Sequence, residues 1–200
     1  MSNAMYQTWK VVVITPEIPF CGETEQIKRV IGSGVFRLHL RHPKADEQTL
    51  RHIIEGLTAD ERKKIVLHDF YNLVDEYNLG GKHLNGRHPE YTSVCTSRSC
   101  HSLDEVAAST GMEYCFLSPI FDSISKCGYA SNFSNEVLLK AKEDGIINGN
   151  VIALGGITVD KISQVREYGF GGVAILGSAW KDGIAQLDII KQIVKKIKKE

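Results

Sequence analysis

Three stretches of this chain combine residue types that can hold a phosphoryl group. In Leu154-Gly155-Gly156-Ile157 and again in Leu176-Gly177-Ser178-Ala179, an apolar run opens through glycine before a segment of helical period begins. Glycine has no Cβ to keep an anion away from backbone N–H groups, so Gly155, Gly156, Leu176, Gly177 and Ser178 are candidate phosphate-binding residues. One such turn is as well explained by simple chain reversal; two at consecutive strand ends favour the anion. The third stretch runs from Leu117 through Pro119 and Asp122 to Lys126. Its Ser123 and Ser125 hydroxyls and its Lys126 ammonium form a second anion cradle, because hydroxyls donate to phosphoryl oxygens and lysine supplies charge.

Four histidines lie close to the ends of apolar runs: His39, His68, His83 and His101. Neutral imidazoles in adjacent positions bind transition metals or relay protons. No HxH or HExxH spacing accompanies them, so the expectation is hydrogen-bonding packers rather than a zinc site.

Bringing these groups to one rim requires a particular architecture. Short β-branched runs alternate with segments of helical period along the whole chain, which specifies parallel strands joined by crossover helices. Strands are expected at residues 10–15, 35–40, 64–67, 81–84, 93–96, 114–117, 151–154 and 172–176. Helices are expected at 24–33, 47–57, 73–78, 103–110, 135–144, 159–168 and 187–198, with the fourth crossover reduced to a turn around 86–90. Ser102, with Glu105 three positions on, reads as a capping box. Eight such rounds predict an α/β fold, a single (β/α)8 TIM barrel, with an open doubly wound sheet as the alternative. Barrels of this kind keep the active site at the C-terminal strand ends and phosphate after strands seven and eight, where the two glycine turns fall.

A chain of 200 residues suits one domain, taken as 5–200, with the opening Met-Ser-Asn-Ala a cloning remnant. Its 24 basic residues cancel its 24 acidic ones, which argues against nucleic acid or a membrane surface as partner and leaves a homo-oligomer open. The lysines of 191–199 accompany Ile189, Ile190, Ile193, Val194 and Ile197 at helical intervals, so they read as the wet face of a last helix. Five cysteines (Cys21, Cys95, Cys100, Cys115 and Cys127) include no CxxC pair and follow no signal peptide, so a reducing cytoplasm is expected.

Together, His68-Asp69, Lys82-His83-Leu84, Ser99-Cys100-His101, the segment from Ser118 to Lys126, Leu154-Gly155-Gly156-Ile157 and Gly172-Val173-Ala174 resemble the thiamine phosphate synthase superfamily, which includes the thiazole tautomerases. The resemblance extends from about Val11 to Gly183. It implies a transferase of thiamine biosynthesis in which hydroxymethylpyrimidine diphosphate loses diphosphate, Mg²⁺ assisting, and a thiazole phosphate captures the resulting cation. Such a step needs charge stabilisation on the leaving group rather than a strong base. On the matched positions Ser123, Ser125 and Lys126 would hold the diphosphate, with Arg41 and His101 assisting. Gly155, Gly156, Leu176, Gly177 and Ser178 would cradle the thiazole phosphate, and Asp69 would be the metal carboxylate.

The chain also departs from the family pattern. His39, Arg41 and Pro43, with Lys44 beside them, stand where the family alternates glutamine, arginine and lysine. His68 replaces an asparagine before the metal aspartate, and Asn85-Gly86-Arg87-His88 occupies the place of a second metal aspartate. The tautomerase branch carries its catalytic histidine where Pro119 stands here. That activity, and a non-catalytic phosphate-ligand-binding paralogue, are the alternatives.

Overall fold

The computed structural model describes residues 9–88, 95–122 and 133–199. Eight parallel strands follow one another in chain order and close into a barrel: β1 (Lys10–Ile14), β2 (Arg37–Leu40), β3 (Ile65–Leu67), β4 (Gly81–Leu84), β5 (Ser97–Cys100), β6 (Tyr114–Leu117), β7 (Val151–Leu154) and β8 (Gly172–Ile175). β1 pairs with β8, Val11 beside Val173 and Val13 beside Ile175. An open sheet has two unpaired edges, so this seam establishes the single (β/α)8 barrel.

Around the barrel lie α1 (Glu23–Gly32), α2 (Glu47–Glu55), α3 (Ala59–Arg62), α4 (Asn72–Tyr77), α5 (Leu103–Ala107), α6 (Asn135–Glu143), α7 (Ile162–Glu167), preceded by a 3₁₀ turn at Val159–Lys161, and α8 (Leu187–Lys199). Alternation along each strand sorts the core into two layers. Val11, Val13, Leu38, Leu40, Ile65, Leu67, Leu117, Val173 and Ile175 belong to the larger cluster under the helices. Val12, Ile14, Tyr114, Phe116, Ile152 and Ala174 form a second cluster. Each fully buried Leu or Ile contributes roughly 1.5–3 kcal/mol, so this double layer dominates the stability. α8 buries Ile190, Ile193, Val194 and Ile197 while Lys191 and Lys195 stay exposed, the solvated face its spacing predicts.

The fifth strand is a correction. It was expected at 93–96, but β5 is the polar Ser97–Cys100, while residues 93 and 94 lie outside the described residues. The error has a physical source, since Ser97 and Ser99 both bond the buried His83 ring (2.8 and 2.9 Å) in a polar stretch of the wall where hydropathy is silent. Helix ends differ too. The segment 47–57 stops at Glu55, and α3 follows behind a true capping box of Thr58 and Glu61. The segment 103–110 ends at Ala107. The Ser102 hydroxyl accepts from the Glu105 N–H, yet the Glu105 carboxylate takes the N–H of His101, so that box is not reciprocal.

One element had no counterpart in the sequence reading. After β8, a hairpin of β9 (Trp180–Lys181) and β10 (Ile184–Ala185) turns at Asp182 and Gly183, whose φ values of 50° and 75° suit a two-residue turn. The Trp180 indole donates to Ile14 O (2.8 Å), fastening this hairpin to the end of β1. No helix among the described residues is long and apolar enough to cross a membrane.

Candidate active site

Because all eight strands are parallel, the loops that follow them share one rim. Three of those loops are bonded to each other. Ile120 N–H donates to Leu154 O (3.0 Å) and Phe121 N–H to Gly155 O (3.2 Å), joining the β6 loop to the β7 loop. The Ser178 hydroxyl donates to Ile157 O (3.1 Å), joining β7 to β8. Gly155 and Gly156 adopt φ of 99° and 62°, and a Cβ on Gly156 would stand 2.5 Å from Asp122 O, so only glycine fits this seam. Among the described residues, the N–H groups of Gly156, Gly177 and Ser178 have no acceptor. Unpaired amides gathered in glycine-bearing turns are a nest for an anion. Ser123, Ser125 and Lys126, expected to complete the rim from the β6 side, lie outside the described residues.

Arg41 and His101 stand just beyond β2 and β5. Arg41 donates to Glu17 (2.9 Å), and its N–H is anchored on Thr15 Oγ1 (2.9 Å). His101 is exposed, with Nδ1 3.2 Å from Ser118 O and 3.4 Å from Ser118 Oγ. It therefore joins the β6 loop, whereas Arg41 joins the β1 loop instead.

His39, His68 and His83 are buried together. His39 Nδ1 meets His68 Nε2 at 2.9 Å, and His39 Nε2 meets the Tyr114 hydroxyl at 2.7 Å. His83 is held between Ser97 and Ser99 and stacks on His68, centroids 4.2 Å apart at 25°. Burial is the first cause that holds all three neutral: His39 and His68 fall well below the usual histidine range, and His83 drops to about 3, with nearby arginines adding to the effect. Their ligand nitrogens lie within 4.8 Å of one another, the spacing of a metal cluster. A metal lies in the plane of each ligating imidazole, however, and two stacked rings do not share such a point. The cluster is built for hydrogen bonding.

Asp69 follows β3, and a short loop after β4 closes over it. Arg87 grips the carboxylate with Nε on Oδ1 (3.0 Å) and Nη2 on Oδ2 (2.8 Å), while His88 Nε2 reaches Oδ1 (2.8 Å). Desolvation opposes ionisation of Asp69, but the bonds from Arg87 and His88 outweigh it and hold the carboxyl below its usual range. Asn85 sets the loop, donating to His68 O (2.7 Å) and accepting from the Arg87 N–H (3.0 Å). Neither Arg87 nor His88 was among the expected site residues. Their signal in the sequence was the basic pair standing where the resemblance calls for an acid.

Residues 11–179 match the family model described as thiamine monophosphate synthase. The chain belongs to this family. It is 26% identical over 187 residues to the thiamine-phosphate synthase of Serratia proteamaculans, spanning 84% of this chain and 88% of that one. The thiamine phosphate pyrophosphorylase of Bacteroides thetaiotaomicron superposes with a TM-score of 0.82 at 30% identity, over 94% of this chain and 97% of that one. That of Pyrococcus furiosus, at 20% identity and TM-score 0.72 over 96% and 98%, shares the fold.

The family generally uses Mg²⁺, an ion that takes hard oxygen ligands in octahedral geometry, commonly one or two carboxylates plus substrate phosphate. Among the described residues the donor set does not suit it. Both Asp69 oxygens are engaged by the Arg87 guanidinium and one of them by His88 as well, the position of the second carboxylate holds Asn85 to His88, and the residue preceding Asp69 is a buried imidazole bonded to His39.

Proposed function

We propose that this protein is a thiamine phosphate synthase acting on hydroxymethylpyrimidine diphosphate and thiazole phosphate. The observation that carries this reading is the bonded rim of the β6, β7 and β8 loops, where the amides of Gly156, Gly177 and Ser178 stand without acceptors among the described residues, in a chain of this family. They are assigned to the thiazole phosphate, together with Gly155 and Leu176. Ser123, Ser125 and Lys126 are assigned to the diphosphate, with Arg41 and His101 beside it.

In the reaction the bond from the pyrimidine methylene carbon to the diphosphate oxygen breaks, its electron pair leaving with diphosphate. The thiazole nitrogen then supplies the pair for the new carbon–nitrogen bond. No proton need leave either substrate before that bond forms, so the protein's task is to hold two anions and exclude water. Fixed amides and an ammonium do this without a general base. The free thiols of Cys21, Cys95, Cys100 and Cys115 suit a reducing cytoplasm.

The test combines protein, both substrates and MgCl₂ and follows products by chromatography. Equal amounts of thiamine phosphate and diphosphate are expected, and Lys126→Ala abolishes both. Absence of both products with the wild-type protein overturns the reading. Tautomerase activity gains no support, since Pro119 stands at that branch's histidine position.

A further inference from the structure

We propose that Arg87, pinned by Asp69, supplies the fixed positive charge for the departing diphosphate that a divalent ion supplies elsewhere in the family. This rests on the synthase reading for the identity of the anion but stands on its own geometry. The Asp69 carboxylate accepts from Arg87 Nε and Nη2 and from His88 Nε2, at 3.0, 2.8 and 2.8 Å. A carboxylate offers about four lone-pair directions, so three are already taken, two of them by the guanidinium. A divalent ion entering here would meet the guanidinium at close range, and like charges repel steeply in a partly desolvated cleft.

Charge arithmetic points the same way. Two carboxylates with one divalent ion sum to zero, and so do one carboxylate and one guanidinium. The loop after β4 has exchanged an acid for Arg87 while Asp69 is retained, which conserves the sum and leaves the cation covalently attached.

The Asp69 side chain is 13% exposed and that of Arg87 35%, so the carboxylate sits behind and the guanidinium in front. Of its five N–H donors, two bind Asp69, leaving Nη1 and the second Nη2 hydrogen without partners among the described residues. Planar paired donors match phosphoryl oxygens, and a guanidinium already held by a carboxylate needs little reorganisation to receive them. Asn85 fixes the loop beneath, through His68 O and the Arg87 N–H (2.7 and 3.0 Å).

Titration calorimetry with inorganic diphosphate in excess EDTA tests the assignment on the full-length protein. The wild type is expected to bind without metal. Arg87→Ala should weaken binding by roughly 10-fold or more, the scale of one charge-assisted contact. Arg87→Lys should fall between, keeping charge but losing the fork, and it carries the comparison if the alanine variant does not fold. Binding by the wild type only when Mg²⁺ is present, or equal affinity of wild type and Arg87 variants in EDTA, overturns the proposal. Thiamine phosphate formation in parallel samples separates the two readings: Arg87-dependent diphosphate binding without turnover sinks the synthase and leaves the Arg87 assignment standing.

Discussion

His39 Nδ1 lies 2.9 Å from His68 Nε2, so a side chain of β2 and one just beyond β3 form one buried hydrogen bond between neutral rings. The Tyr114 hydroxyl extends the chain at 2.7 Å, and His83 stacks against it. One consistent assignment has Tyr114 donating to His39 and His39 donating to His68, which requires both of these rings to be uncharged.

Stability should therefore fall on the acid side. The rings titrate near 6.5 once unfolded, but burial keeps them neutral in the barrel, His83 down to about 3. Below pH 6.5 the unfolded chain thus binds more protons than the folded one, and stability present at neutral pH is lost as pH drops toward 3. Each such ring gives a slope approaching about 1.4 kcal/mol per pH unit. Thermal melts from pH 7.5 to 4.5 measure this, and a melting temperature unchanged between pH 7 and 5 contradicts it.

Tyr114→Phe keeps the ring, which is 1% exposed, but leaves His39 Nε2 without its partner. A buried unsatisfied nitrogen costs about 1–3 kcal/mol. Urea denaturation should register that loss, whereas a difference under 0.5 kcal/mol, roughly the scatter of a neutral surface change, means the bond is unimportant.

Gly156→Ala should damage ligand binding more than folding. The new Cβ would lie 2.5 Å from Asp122 O and 2.7 Å from Phe121 Cβ, at φ of 62°. The β6 and β7 loops must separate to admit it, disturbing the amides assigned to phosphate. The Michaelis constant for thiazole phosphate should rise at least roughly tenfold, about 1.4 kcal/mol; steady-state kinetics that match the wild type would refute the rim's role.

Glu23 and His42 form a buried pair, 3.0 Å apart with side chains 2% and 0% exposed, in contact but without hydrogen-bond alignment. Glu23→Ala removes that polar contact from a fully buried imidazole, and burying a polar group uncompensated costs about 1–3 kcal/mol. Double-mutant analysis with His42→Ala checks coupling: fully additive losses would show that the two side chains do not depend on each other.

Much of the barrel was legible because buried parallel strands are written in Val, Ile and Leu, as in β1, β7 and β8. β5 was not, since its inward serines serve His83 and carry no hydropathy signal. Asp182-Gly183 marked a hairpin by its turn chemistry, but two-residue strands are too short to show periodicity. At the site, the glycine seams declared themselves through composition. The grip of Arg87 on Asp69 did not, because partners 18 positions apart meet only once the fold sets β3 beside β4.

Trp180 fastens the β8 hairpin to Ile14 O at the seam where the first and last strands meet, two positions beyond Ser178. The sequence contains only one other tryptophan, Trp9, so replacing Trp9 with Phe leaves a single indole that can be excited apart from the tyrosines. Its emission colour and quenching would then gauge whether the seam is shut and whether an anion has arrived at the adjacent glycine, with no dye attached.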